Sequence, residues 1–315
     1  MSQIARIAEI VLPLFGVIAL GYFVGWTGLL RERTAEGLAD YVYTIAIPLL
    51  IFRTLSEAKL PDALPWAYWF AYFAGAFFAW AIGQAISALV FGRPTREAIV
   101  HGFASGQANI VLVGIPLVLA AFGEGGALPL FLLIAVNLPL MMTAASLLIE
   151  GSGAGITRAA FLNLARNFAG NFILIAFAAG LIAQFLGLRL GGPPKAVVDL
   201  VVASAVPCAL FAMGLALRRY GVAGDIGITP VLVVLKLLVH PLVVFLLVRY
   251  VLTLPPVWAG VAVTFAAMPC GINAYLLAEC YKAGVAGTAG AVSLSTGLAV
   301  LTVSFWLWLL GVGAS

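Results

Sequence analysis

The stretch Gly106-Gln107-Ala108-Asn109-Ile110-Val111-Leu112-Val113-Gly114-Ile115-Pro116 sets two carboxamides, two glycines and a proline inside an otherwise apolar run. Proline removes a backbone donor and clashes with the preceding turn, while glycine permits dihedrals closed to other residues. A helix carrying this run is predicted to break near its middle, at Gly114 and Pro116. A second stretch, Met268-Pro269-Cys270-Gly271-Ile272-Asn273, has the same character and predicts a second break at Pro269 and Gly271. Interrupted helices leave N–H groups unpaired where the second half begins, and their partial positive charge favours an anion.

The medium around these breaks follows from composition. Of 315 residues, 64% are hydrophobic and 9% charged, with a mean hydropathy of +1.15, whereas a soluble domain is roughly one quarter charged. Short charged clusters such as Arg31-Glu32-Arg33 and Arg218-Arg219 bound apolar stretches able to cross about 30 Å of hydrocarbon as helix. A membrane β-barrel would alternate apolar and polar residues, but Leu242 to Val248 is apolar at every position. The expected fold class is therefore an all-α polytopic membrane protein, since each helix satisfies its own backbone in lipid. The run Ile10 to Leu30 is longer than a signal-peptide core and reads as the first span. Cys208, Cys270 and Cys280 have neither redox nor metal spacing and read as packing thiols, so no metal or other cofactor is expected. A pI of about 9.1 accompanies no long basic stretch, which gives nucleic acid no footing as a partner.

Ten spans are expected, at about 7–30, 38–56, 64–91, 98–122, 127–149, 167–187, 196–217, 228–249, 257–280 and 286–311. An even number puts both termini on one side and sorts the loops into two sets. One set carries Arg31, Arg33, Arg93, Arg96, Arg158, Arg166, Arg218, Arg219 and Lys282; the other carries Arg6, Arg53, Lys59, Arg189, Lys195 and Arg249. The richer set is assigned to the cytoplasm, leaving both termini outside a bacterial-type inner (plasma) membrane. Ala46-Ile47-Pro48-Leu49-Leu50-Ile51-Phe52 in span two matches Ala205-Val206-Pro207-Cys208-Ala209-Leu210-Phe211 in span seven. Ala120 to Glu124 likewise falls nearly opposite Ala278 to Lys282. Five spans per half is an odd number, so such a repeat must be inverted across the membrane. The expected division is a first five-helix repeat at 1–149, a short cytoplasmic linker at 150–166 and a second repeat at 167–315.

Asn109 and Asn273, beside the two breaks, offer amide donors to a carboxylate and acceptors to a hydroxyl or indole-type N–H. Amides that merely join helices explain a single such segment better, but two in corresponding places favour a binding site. Gln107 is grouped with them. Asn163, Asn167 and Asn171 recur four residues apart and share a face, where lining a cavity and capping or packing stand as equal readings. Lys236 and His240 lie deep in span eight, where a charged group needs a partner and marks a coupling candidate. Glu279, late in span nine, is a further coupling candidate beside Lys282. His101 is expected at the interface, and Asp40 and Asp199 near helix beginnings, as caps.

The order and spacing of several segments resemble the auxin efflux carrier family, which includes plant auxin exporters and bacterial permeases assigned to malonate or malate. The segments are Leu12-Pro13, Leu20-Gly21-Tyr22, Ala46 to Phe52, Asn109 to Leu117, Arg166-Asn167, Pro207 to Gly214 and Met268 to Ala274. The resemblance covers nearly the whole chain. It implies ten helices in two inverted five-helix repeats, of the bile-acid symporter and sodium/proton antiporter architecture. Spans 1, 2, 6 and 7 would form a scaffold, often dimeric, against a moving transport domain of spans 3–5 and 8–10 with helices four and nine crossed. It also implies Asn109 and the Asn167 region as substrate contacts. Phe168 stands where many relatives carry proline, and Glu150 to Arg166 is too short for the long cytosolic loop of the plant exporters.

The expected function is secondary transport of a small organic anion, an auxin-like monocarboxylate or a malonate- or malate-like dicarboxylate, by alternating access. The chain has no phosphate-binding G-x-x-x-x-G-K-[ST] sequence to drive a pump. An intramembrane enzyme would need converging nucleophiles or metal ligands, which two histidines and scattered acids do not supply. A channel or a ligand sensor is the remaining rival.

Overall fold

Helix α1 runs from Gln3 to Thr27 and ends at Gly28, whose φ of 71° is left-handed. The computed structural model describes residues 2–31, 33–61, 63–152, 166, 169–220 and 224–314. The following helices are α2 (Arg33–Tyr41), α3 (Ile47–Glu57), α4 (Trp66–Leu89), α5 (Thr95–Gly106) and α6 (Ile115–Gly151). Next come α7 (Phe172–Phe185), α8 (Gly192–Tyr220), α9 (Thr229–Val234) and α10 (His240–Leu246). The last three are α11 (Pro256–Ala266), α12 (Ile272–Tyr281) and α13 (Val285–Leu309). Among the described residues seven continuous helical stretches are long and apolar enough to cross a membrane, and α7 and α11 are shorter apolar helices. The chain is thus an all-α polytopic membrane protein.

One of the seven stretches, Ile110–Gly151, has 42 residues, about 63 Å of helix at 1.5 Å per residue and twice the hydrocarbon thickness. It folds back at Gly123, whose φ of 58° and ψ of −149° leave helical space. Only glycine adopts that conformation at little cost.

Three π-helical turns, Val42–Ala46, Ile110–Gly114 and Leu235–Val239, are each followed at the second residue by a proline: Pro48, Pro116 and Pro241. A proline ring clashes with the carbonyl four residues back, and the wider turn moves that carbonyl aside. The carbonyls concerned belong to Thr44, Leu112 and Leu237, to which the proline four residues on has no N–H to donate. Trp306 supplies a replacement at Leu237, its Nε1 donating to that oxygen at 3.0 Å. Pro116 therefore bends a turn without ending the helix, which corrects the expectation of a break at Gly114 and Pro116. The first interruption lies earlier, at Gln107–Asn109 between α5 and the π-turn, while the second, at Ala267–Gly271, contains Pro269 and Gly271.

Small residues bring helices close. A Cβ on Gly214 of α8 would sit 2.1 Å from the carbonyl oxygen of Ile18 in α1, so these two backbones touch. Helix α3 packs on α7, and α4 on α5, α10 and α11. Tyr72 of α4 stacks edge-on against Phe265 of α11 at 4.9 Å. Ion pairs join distant segments at the helix ends. Arg93 pairs with Asp225, and Arg53 lies 3.0 Å from Asp199, which also receives Lys195 at 3.1 Å. Asp199 thus holds an ion-pair cluster together and is no simple cap. His101 is fully buried, its Nδ1 2.8 Å from Ser87 Oγ, contrary to the expected interfacial position. Asp40 lies at the end of α2, since that helix begins earlier than expected, at Arg33.

Candidate functional site

The two interruptions meet. Asn109 donates its backbone N–H to the Pro269 carbonyl at 2.8 Å, and Gly271 donates its own to the Gln107 carbonyl at 2.9 Å. Ala108 and Cys270 thereby form a single antiparallel bridge. Four backbone groups that a helix break would strand in a low-dielectric interior satisfy one another. Glycine is needed at 271 because a Cβ there would lie 2.6 Å from the Ala108 carbonyl oxygen. Behind the bridge, the Cys270 N–H donates to Ser295 Oγ at 2.9 Å.

In front of the bridge lies a cavity of about 760 Å³. Its wall includes Asn109 to Leu112, where one inner half-helix begins, and Ile272 and Asn273, where the other begins. The first turn of any helix has N–H groups without intrahelical acceptors, so two such turns converge on one space. Asp40, Tyr43 and Thr44 of the α2 segment face them, with Asn171 at the start of α7. Thr44 and Leu112 are two of the three residues whose carbonyls the prolines release.

Asn109 is 3% exposed, and its Nδ2 donates to Met213 Sδ at 3.1 Å. A thioether is a weak acceptor, so a carboxylate oxygen reaching this amide replaces a poor partner with a stronger one. Asn273 is half-buried and its amide has no hydrogen-bond partner among the described residues. Gln107 does not line the cavity. Its Nε2 lies 3.4 Å from Asn137 Oδ1, and Asn137 in turn donates to the Tyr72 hydroxyl at 3.2 Å, forming a buried polar chain behind the bridge. Asn163 and Asn167 lie outside the described residues. Asn171 both lines the cavity and caps α7, its Oδ1 accepting from the N–H of Ile173 at 2.9 Å and of Leu174 at 3.3 Å.

The coupling candidates separate. Lys236 is fully buried, and its Nζ donates to the Ala266 carbonyl at 2.5 Å and lies 3.3 Å from His240 Nδ1. Ala266 is the last residue of α11, so the Lys236 nitrogen satisfies a carbonyl that the end of a half-helix leaves without an intrahelical donor, just before the interruption. Neither Lys236 nor His240 reaches the cavity wall. Glu279 does, at its rim, where Lys282 Nζ donates to Oε2 at 2.9 Å. Thr44, Asn137 and Met213 were not singled out from the sequence, and Asp40 was read there only as a cap. Of these, only Asn137, a lone amide in the apolar run 127–149, leaves a sequence signal.

An all-α membrane protein whose two interrupted segments pair at the head of a shared cavity belongs to the class of polytopic solute carriers. The Membrane transport protein family model matches residues 6–307, and the chain belongs to that family. It is 29% identical to the "Putative malonate transporter" of Rhizobium meliloti (strain 1021), covering 98% of each chain. It is also 24% identical to an uncharacterised transporter of Methanocaldococcus jannaschii, over 96% of this chain and 98% of that one. Identity to the lysosomal cholesterol signaling protein of Mus musculus is 25%, over 38% of this chain and 14% of that protein. Membership of this family supports a role in secondary transport.

Proposed function

We propose that the chain is a secondary transporter that moves a small organic anion across the inner membrane by alternating access. The observation that carries this reading is the convergence of two half-helix starts on one cavity, with Asn109 and the unpartnered Asn273 amide in its wall. Paired N-terminal turns favour negative charge, and the two amides add donors for carboxylate oxygens. The cavity, at about 760 Å³, admits either a dicarboxylate such as malonate or malate or an indole-type monocarboxylate. The name of the 29%-identical relative favours the dicarboxylate.

The same reading has ten spans in two inverted five-helix repeats. Spans 1, 2, 6 and 7 form a scaffold that pairs two copies into a homodimer, and spans 3–5 and 8–10 form the moving domain. In this reading the loops holding Arg31, Arg93 and Arg218 are cytoplasmic and both termini outside, which their richness in arginine supports. Asn167 stays in this reading as a substrate contact, whereas Gln107 acts behind the bridge, positioning it. Proton coupling runs through Lys236 and His240 or through Glu279.

A binding screen on purified protein tests the substrate class, comparing malonate and malate with indole-3-acetate by thermal stabilisation and calorimetry. Saturable binding of one class that Asn109→Ala weakens is the expected result. Binding of neither class would remove the organic-anion reading.

A further inference from the structure

The wall of the central cavity carries three carboxylates, Glu36, Asp40 and Glu279, and no lysine or arginine among the described residues. An anion entering that cavity finds no cationic side chain in its described wall. Next to it is a second cavity of about 420 Å³, lined in part by Arg31, Arg33 and Arg218. Ala35 and Glu36 belong to both walls, so the two spaces adjoin. The sequence builds this pocket by a turn. Gly28 ends α1 in left-handed geometry, and the short connection to α2 puts Arg31 and Arg33 on the same pocket as Arg218 of α8. Arg218 is held in place by donating to the Gly25 carbonyl.

We propose that this three-arginine pocket is an outer anion site, through which a carboxylate solute passes between bulk water and the central cavity. The inference rests on the organic-anion reading above. A guanidinium presents a planar fork of donors matched to a carboxylate. Three of them in a concave space focus the field and raise the local anion concentration. Glu36, on the shared wall, then marks the point at which the solute leaves the arginines for the donors of Asn109 and Asn273. A phospholipid headgroup offers the same anionic chemistry as the solute, so the test separates the two sources.

Labelled malonate and indole-3-acetate are supplied to proteoliposomes of phosphatidylcholine alone and of phosphatidylcholine with phosphatidylglycerol. Flux is measured at low and high ionic strength for the parent, for Arg31→Gln/Arg33→Gln, and for Arg189→Gln/Arg249→Gln, which removes equal charge from exposed sites elsewhere. The expected result in both lipids is a KM about tenfold higher for Arg31→Gln/Arg33→Gln at low salt. Its kcat stays close to the parent, and the difference shrinks at high salt. The Arg189→Gln/Arg249→Gln variant keeps the parent KM. Equal KM values for the two double variants overturn the outer site while leaving parental flux, and so the proposed function, intact. A defect confined to vesicles with phosphatidylglycerol assigns the pocket to lipid and also overturns it. Absence of saturable flux of both anions in the parent removes the proposed function and this site together.

Discussion

Asn109 and Asn273 differ in how far their hydrogen bonding is already satisfied. Asn109 holds a weak thioether acceptor and Asn273 holds no described partner. Neither amide stabilises the bridge, which is made by backbone groups, so truncating either side chain leaves the fold in place. Asn109→Ala and Asn273→Ala are each expected to weaken binding by about 1.5–3 kcal/mol, the usual worth of a hydrogen bond to a charged group. That corresponds to about 10- to 100-fold in affinity. Calorimetry on variants whose melting matches the parent measures the change, and parental affinity in both would place the asparagines outside the site. These two residues were legible in the sequence because amides beside Pro and Gly are conspicuous in apolar runs. Gln107 looked the same and is turned the other way, toward Asn137. Direction around a broken helix depends on which neighbour packs behind it, and linear spacing does not encode that.

At the scale of the element, the prolines and the small residues act by opposite means. Pro116 releases the Leu112 carbonyl through a π-turn, in a segment that lines the cavity. Pro116→Ala restores the missing N–H, and the turn is expected to relax toward regular α-helix, with a stability gain of about 1 kcal/mol. Transport should fall because the half-helix start moves relative to Asn109. Parallel melting and flux assays check this, and unchanged flux would show that the π-turn has no part in the site. Gly214 instead permits contact, so Gly214→Ala must separate α1 from α8 and should cost about 1–3 kcal/mol. Thermal unfolding in detergent measures that loss, and a parental melting temperature would contradict the tight packing. Helix ends were mostly legible from charge clusters and turn residues. The interruption at Gln107–Asn109 was assigned to Pro116 because the consequence of a proline is local, whereas the site of the break is fixed by pairing with Cys270, far along the chain.

For the whole molecule, the two domains of the proposed reading differ in character. The helices assigned there to the moving domain, α4–α6 and α9–α13, hold the paired interruptions and a buried lysine, while those assigned to the scaffold, α1–α3, α7 and α8, include the close α1–α8 contact at Gly214 and the Arg53–Asp199 ion pair. Relative motion of two such bodies would expose the cavity to either face in turn. Neither interruption, Gln107–Asn109 or Ala267–Gly271, contains an acidic residue. Lys236 Nζ already donates to the carbonyl of Ala266 at the end of α11, an oxygen that a bound cation would otherwise use. These features point to membrane voltage or a proton gradient as the driving force in preference to sodium. A monoanion leaving an inside-negative cell gains about 2.3 kcal/mol per 100 mV. The arginine pocket was not legible in the sequence, because it forms only where Gly28 turns the chain back toward Arg218.

The central claim is tested most directly by counterflow in proteoliposomes, with unlabelled solute inside, labelled solute outside, and voltage, pH gradient and sodium gradient set separately. The expected result is saturable exchange, accelerated by internal solute and responsive to voltage or pH gradient, that persists when sodium is removed. Fast conductance indifferent to internal solute would make the chain a channel, and an absolute sodium requirement with uphill uptake on a sodium gradient would contradict the coupling argued from Lys236.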